Sequence, residues 1–245
     1  MQLIRPLLRA MRRETGRLRR ETSAVALIEF GYSLPILIGV GMYGLEIANL
    51  AQTNLRISQI ALALADNASR VGVTSTLNTQ QIREADINDI FQGARLQDAN
   101  LDLANRARIT LSSLEVNKDG GQWIHWQRCL GMKKGAGYDS SYGKGGDGLA
   151  GNGVPGMGPT GGVVQAPPLS AVMFVEINYD YKPIIAEWLV GQPKIQYIAS
   201  FVVRDKRDLD QATPYKATAA GGDAAGGVWN PSPKESAMTC DKYTT

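Results

Sequence analysis

The sequence predicts an α+β protein in which a long N-terminal transmembrane helix continues into a periplasmic domain with a small antiparallel sheet. Three observations predict this architecture. Residues 24–45 form an almost uninterrupted apolar run, a helical stripe continues it to residue 71, and later segments alternate in polarity as strands do. A helix over residues 24–45 would rise about 33 Å, close to the hydrocarbon thickness of a bilayer. We assign residues 24–50, which include this run, to a transmembrane helix.

The charge that precedes this helix predicts its orientation. Residues 1–23 form a basic arm with seven arginines and two glutamates, a net charge of +5, while the whole chain carries +3 and the remainder therefore −2. A basic flank beside the first membrane segment stays cytoplasmic, so the later residues are expected beyond the membrane, anchored by a single span. A signal peptide is the alternative, but its apolar core is usually about 7–15 residues long, and Glu29 lies inside this one.

The helix is predicted to extend beyond the membrane over residues 51–72. Leu50, Ile57, Leu64 and Val71 recur every seven residues, which places them on one helix face. Three further apolar residues fill the same stripe: Ile60, Ala61 and Ala68. Gly72 can end the helix. The stripe is expected to pack under the chain's own domain.

Residues 73–207 are predicted to form the α+β domain, beginning with a second helix. Asn78 or Thr79 can cap it, and Gln81 stands at the capping-box spacing from Asn78. Five apolar residues give an imperfect helical face: Ile82, Ile87, Ile90, Phe91 and Leu96.

Strand signals follow the second helix. Residues 108–112 alternate between polar and apolar side chains, and the alternation resumes at 114–116 after a slip of one residue. Residues 117–121 are typical of a turn, and residues 123–126 are expected to form the returning strand. This pattern predicts a β-hairpin. Two further strands are expected at 172–181 and 195–203, with a short helical turn at 184–189 between them.

Two segments are expected to lack regular structure. Residues 131–162 contain 13 glycines without a regular period or a phosphate-binding motif, so we expect an exposed, mobile loop. Residues 208–245, rich in Ala, Gly, Thr and Pro, are expected to form an extended tail that wraps the surface loosely.

The two cysteines, Cys129 and Cys240, both fall beyond the predicted membrane helix. In an oxidising compartment an even pair without metal-ligand spacing predicts a disulfide, with two free buried thiols as the alternative. Catalysis has little support, because His125 is the only histidine and neither a G-x-S-x-G nor an H-E-x-x-H motif occurs. We predict that the chain is not an enzyme, that it binds no metal or other cofactor, and that it has no nucleic-acid partner.

The segment at residues 24–31, Ala-Val-Ala-Leu-Ile-Glu-Phe-Gly, resembles the processing region of tight-adherence (Flp-type) pilins and their TadE-like relatives. The resemblance continues through Leu34-Pro35 and the spaced glycines at 39, 41 and 44. A weaker match lies at 179–185, followed by 195–205, where the family has its closing strands. The resemblance implies a bacterial inner-membrane protein with a pilin-like periplasmic domain. It also implies membrane lipid, pilin subunits, pilus assembly platform proteins and a prepilin peptidase as partners.

The same resemblance assigns roles to individual residues. A prepilin peptidase would cut between Ala24 and Val25, where Ala24 replaces the family's usual glycine, and Glu29, Phe30 and Pro35 would serve assembly. A cut there would leave an amine on Val25, four residues before Glu29, and residues at that spacing share a helix face. The amine and the carboxylate would offset each other's burial, within one subunit or between neighbours. The alternative is that Glu29 snorkels to the headgroups.

These expectations define two functional hypotheses. The first is a minor pseudopilin or assembly component of a tight-adherence pilus, acting by helix-mediated subunit association. The second is a single-pass anchored periplasmic binding or sensor domain unrelated to pili.

Overall fold

The computed structural model describes residues 22–74, 80–209, 228–230 and 233–243. The fold is α+β, as predicted: a long N-terminal helix followed by a domain built on a four-stranded antiparallel sheet. In chain order the elements are α1 (Thr22–Arg70), β1 (Val73–Thr74), β2 (Gln80–Arg83), α2 (Glu84–Gln97), a 3-10 turn (Ala99–Leu101), α3 (Leu103–Arg106), β3 (Ala107–Val116), β4 (Gln122–Leu130), β5 (Ala171–Asp180), α4 (Glu187–Val190), β6 (Lys194–Val202) and β7 (Val228–Trp229).

Helix α1 has a bare half and a packed half. Every residue from 25 to 45 is exposed, although this stretch is strongly apolar. In the part of the chain that the structure describes, α1 is the one helix long and apolar enough to cross a membrane. The helix continues through Pro35, whose missing N–H leaves one carbonyl without its usual partner. This half is compatible with a single-pass membrane anchor.

The second half of α1 covers one face of the sheet. The main sheet has the order β4-β3-β5-β6, and α1 packs across β5 and β6 and against α2. The predicted stripe faces this core, because Ile57, Ile60, Ala61, Leu64 and Ala68 are buried there. Leu50 and Val71, at the two ends of the stripe, are partly buried against the same core. The extension beyond the exposed apolar run is therefore a packed helix of the domain.

Arg207 lies at the C-terminal end of α1 and bonds to carbonyl groups there. Its guanidinium donates to the carbonyl oxygens of Ala68 at 3.1 Å and Val71 at 2.7 Å, which lack helical partners at this terminus. Burial lowers the pKa of Arg207 to about 10. Gly72 follows directly and has a φ of +152°. The prediction that the helix ends beside Gly72 agrees with this geometry.

The one-residue slip in the sequence alternation of β3 coincides with a change in the face of the sheet that its apolar side chains cover. Strand β3 pairs with β5 without interruption, but its register with β4 shifts so that Ser113 lies opposite Trp126 and Leu114 opposite Ile124. His125 is therefore the extra residue of a β-bulge. Ile109 and Leu111 of β3 lie in the core under α1, whereas Leu114 lies in a second apolar cluster.

The second helix begins later than predicted. Residues 80–83, expected to be helical, form β2, which pairs antiparallel with β1 and parallel with β7. The backbone N–H and guanidinium of Arg83 donate to the Asp86 carboxylate, and this pair forms the start of α2. Asn78 and Thr79, the expected caps, lie outside the described residues. Ile82 is buried in β2 rather than in the helix, and Leu96 is exposed.

The glycine-rich segment packs more than expected. Most of residues 131–162 are exposed and irregular, but Met157 is fully buried in the second cluster, with Tyr142 and Val154 against it. The segment crosses the edge of β4 at backbone distance. At Gly153, where φ is +64°, a Cβ atom would lie 2.0 Å from the carbonyl oxygen of Gln122. The glycines therefore serve close approach here, and the predicted exposed loop is packed against the sheet in part.

Glu176 of β5 holds the same segment through a buried carboxylate. It accepts hydrogen bonds from the Ser140 hydroxyl at 2.6 Å and the Ser141 N–H at 3.3 Å. Burial raises the pKa of Glu176 above its usual value of 4.5, and the two serine contacts oppose that shift only in part. The folded protein therefore binds this proton more tightly than the unfolded chain does.

This shift predicts a pH dependence of stability. As pH rises from below 4.5 through the raised folded pKa, Glu176 should lower the free energy of unfolding, because the unfolded chain ionises first. Glu176→Gln should remove that decline and be at least as stable as the wild type at neutral pH. Urea unfolding of both proteins across this range measures the difference. Identical pH profiles for the two proteins would contradict the prediction.

The described part of the C-terminal tail is docked rather than loose. Cys129 and Cys240 form a disulfide, as predicted, so the alternative of two free thiols is wrong. The backbone N–H of Cys129 also donates to the carbonyl of Met238 at 2.7 Å. The buried guanidinium of Arg108 donates to the carbonyls of Cys240 and Lys242 and lies 4.4 Å from the Tyr243 ring centroid. Burial lowers the pKa of Arg108.

Candidate functional site

The residues predicted to serve processing and assembly all lie at the start of α1. Ala24 and Val25 belong to its first turns, and the side chains of Val25, Glu29, Phe30 and Pro35 are exposed. Val25 and Glu29 are separated by one helical turn and therefore share a face. The Glu29 side chain, exposed on this helix, has no hydrogen bond or ion pair with any residue that the structure describes. The folded domain does not contact this part of the helix.

A second glutamate of α1, Glu46, forms a site that sequence reasoning missed. It is fully buried and is the first buried residue along the described part of the helix. Its carboxylate accepts hydrogen bonds from the Tyr181 hydroxyl, from the Ile185 N–H at 2.8 Å and from the Ile184 N–H at 3.1 Å. We call this cluster the neck, defined by Glu46, Asn49, Tyr181, Ile184 and Ile185.

Tyr181 is held at the end of β5 by a second contact with α1. The Asn49 side-chain amide donates to the Tyr181 hydroxyl at 2.6 Å, so this oxygen accepts one hydrogen bond and donates another to Glu46. Burial, followed by the bond to Glu46, raises the pKa of Tyr181 to about 12. The hydroxyl therefore stays protonated, and remains a donor, at physiological pH.

The segment that follows β5 supplies the other two hydrogen-bond donors to Glu46. Strand β5 ends at Asp180, and Pro183, which has no N–H, stands directly before Ile184 and Ile185. The two consecutive N–H groups point at the carboxylate instead of pairing in the sheet. A buried carboxylate is stable when donors surround it in this way. The neck thus fixes the domain to α1 one residue beyond the bare half of the helix.

The only histidine of the sequence lies in a buried polar cluster. His125 Nδ1 is 2.9 Å from the Glu115 carboxylate, and the Ser113 hydroxyl donates to the same carboxylate at 2.6 Å. A nucleophilic serine would have to bond to the histidine, and here both residues bond to the glutamate. All three side chains are almost completely buried, and His125 stacks on Trp123 at 4.3 Å. The imidazole at the bulge therefore contacts a carboxylate and an indole ring and does not bond to the serine.

Within the described ranges, no three His, Cys, Asp or Glu side chains converge as metal ligands. No family model, curated protein or solved structure matches this chain. The fold and the neck together define an α+β domain joined to a helix whose other half is exposed, apolar and compatible with a single-pass membrane anchor.

Proposed function

We propose that this chain is an inner-membrane-anchored minor pseudopilin or assembly component of a tight-adherence (Flp-type) pilus. It would act by association of its apolar helix with the helices of other subunits. One observation carries the proposal: a single helix, α1, is bare and apolar over residues 25–45 and packed under the domain over its second half. A helix that protrudes from the domain it supports is the arrangement a pilin needs for stacking.

The two glutamates of α1 support an intermolecular role for Glu29. Glu46 is satisfied within its own chain by three donors, whereas Glu29 has no partner in the described part of the chain. A carboxylate in an apolar helix is costly unless it finds a partner. The amine on Val25 after cleavage, in the same or a neighbouring subunit, would supply one. Snorkelling to the headgroups is the alternative for this residue.

The proposed topology places the basic arm in the cytoplasm and the domain in the periplasm. The arginine excess of residues 1–23 supports this orientation. The disulfide between Cys129 and Cys240 also supports it, because such bonds persist in the oxidising periplasm and are rare in the cytosol.

A second candidate is an anchored periplasmic binding or sensor domain unrelated to pili. A cleft of about 470 Å³ beside the disulfide favours it, lined by polar residues including Thr110, Asp139, Lys144 and Tyr243. Its volume is in the range of small-molecule sites. Its walls include the C-terminal segment that Arg108 and the disulfide hold in place, so a bound ligand would stabilise that docking.

Piliation separates the two candidates. A strain lacking this chain should lose its pili, and the wild-type chain should restore them after coexpressed prepilin peptidase exposes Val25 as the new N-terminus. Glu29→Ala should remain in the membrane, because removing a charge favours the bilayer, but should not restore pili. Ser33→Ala is the matched control, since Ser33 is an exposed polar residue on the same half of α1 that bonds only to its own helix.

The outcomes are distinct. Normal piliation without the chain, and without a paralogue to replace it, would end the assembly proposal. Full restoration by Glu29→Ala would leave the assembly role standing and assign that glutamate to snorkelling.

A further inference from the structure

The loop that follows β5 exposes large apolar side chains beside the bare half of α1. Trp188, in the short helix α4, is 85% exposed, and Ile184 is 65% exposed. Neither side chain is needed by the core, and the main-chain N–H of Ile184 is bonded to Glu46. An apolar, aromatic loop of this kind on a domain surface indicates an interaction site.

The neck determines where this loop lies relative to the membrane helix. Glu46 follows Leu45, the last residue of the bare apolar half, and it bonds directly to Ile184 and Ile185. The loop is therefore held at the level where the unbroken exposed, apolar run of α1 ends. If α1 spans the bilayer, that level is the boundary between hydrocarbon and headgroups. Tyr43, one turn earlier on the helix, is also exposed, and aromatic residues are enriched at this depth.

We infer that residues 184–190 lie in the interfacial layer of the bilayer that holds α1, with Trp188 as an anchor among the phospholipid headgroups. Tryptophan suits this depth because its ring is apolar while its N–H can bond to water or headgroups. The loop and its flank carry one charge of each sign, Lys182 and Glu187, both exposed. Binding should therefore depend on apolar insertion and not on anionic lipid.

This contact would orient the domain on the membrane. The neck holds the domain to one point of α1, and a second contact with the bilayer through Trp188 would resist tilting of the domain about that point. The inference rests on the proposed membrane anchor, but it does not depend on the pilus role.

The test uses the full chain reconstituted in phosphatidylcholine vesicles with bromine on the shallow acyl carbons. The protein has four tryptophans. Trp123 and Trp126 are buried in the domain, and Trp229 is partly buried in β7. Brominated lipid should quench the wild type, and the lipid-quenched fraction should fall several-fold in Trp188→Phe. Trp229→Phe is the matched control and should keep the quenching. Adding anionic lipid should leave the quenched fraction unchanged.

Equal quenching of the wild type and Trp188→Phe would overturn the inference. The inference would also be overturned if acrylamide in the aqueous phase quenched the Trp188 fluorescence of the protein in vesicles as fully as that of the unfolded protein. Carbonate extraction distinguishes the two levels of failure: a protein that stays in the vesicles without quenched Trp188 refutes only the loop contact. A protein released by carbonate refutes the anchor and the loop contact together.

Discussion

Replacing Glu46 with alanine is expected to loosen the domain from α1 and to lower the free energy of unfolding by about 3 kcal/mol or more. The substitution leaves the Tyr181 hydroxyl and the N–H groups of Ile184 and Ile185 without their acceptor. Each buried donor left unpaired costs about 1–3 kcal/mol. The carboxylate's own desolvation cost, which disappears with it, offsets part of that loss.

The measurement is urea unfolding of the full chain in detergent, followed by near-ultraviolet circular dichroism of the domain. Glu29→Ala is the matched control, because it removes another glutamate from the same helix. The Glu29 side chain has no partner among the described residues. The substitution should leave the unfolding midpoint unchanged. Glu46→Gln should fall between the two, since its amide oxygen can still accept from the backbone donors but carries no charge. Equal midpoints for Glu46→Ala and Glu29→Ala would show that the neck contributes nothing.

A double-mutant cycle tests whether Glu46 and Tyr181 act as one unit. Tyr181→Phe alone removes the hydroxyl that bonds to both Glu46 and Asn49. The combined Glu46→Gln and Tyr181→Phe variant should lose less stability than the two single changes together, because residues in one hydrogen-bond network are not additive. Full additivity would mean that the two side chains contribute independently.

The elements that the sequence predicts well are those encoded by local periodicity. The apolar run and the stripe of α1 depend only on neighbouring turns of one helix, and burial of Ile57, Leu64 and Ala68 follows from that pattern. The hairpin of β3 and β4 depends on alternation and a turn, and even the slip before Leu114 corresponds to the register shift. Two cysteines beyond the apolar run allow only one intramolecular pairing, which the structure contains.

The neck could not be predicted because its parts are far apart in the chain. Glu46 stands at the end of an apolar run, where a carboxylate is unremarkable, and its donors follow more than 130 residues later. Two of those donors are backbone N–H groups, which have no sequence signature. A tyrosine before Lys182-Pro183 was part of the weaker resemblance, but nothing in the sequence connects it to Glu46. Only the packing of α1 on β5 brings them together.

Tertiary contacts also overrode local signals at two other places. Residues 80–83 carry a plausible helix start, but pairing with β1 and β7 makes them a strand. The glycine-rich segment has too few apolar residues for a core of its own. It gains one because Met157 and its neighbours meet Leu114 and Phe174 on the second face of the sheet. Glycines of this segment permit that close approach at the edge of β4.

Removing the disulfide is expected to lower the stability of the domain by about 4–5 kcal/mol, less any strain relieved. The bond joins residues 111 positions apart, and in the chain-entropy model a loop of that length gives this value. The effect should arise mainly in the unfolded state. Arg108 still holds the carbonyls of Cys240 and Lys242, so the native C-terminal segment should stay docked when the sulfurs no longer bond.

The double variant Cys129→Ser, Cys240→Ser should therefore keep the native near-ultraviolet spectrum but unfold at a clearly lower urea concentration. The wild type treated with reductant is the matched control, and its midpoint should shift to that of the double variant because both lose the same cross-link. Adding Arg108→Lys to the double variant should then release the tail, seen as faster trypsin cleavage at Lys242, since an ammonium cannot reproduce the guanidinium's several directed hydrogen bonds. A reductant that leaves the wild-type midpoint unchanged, or two thiols that alkylate in the native unreduced protein, would refute the bridge and its stabilising role.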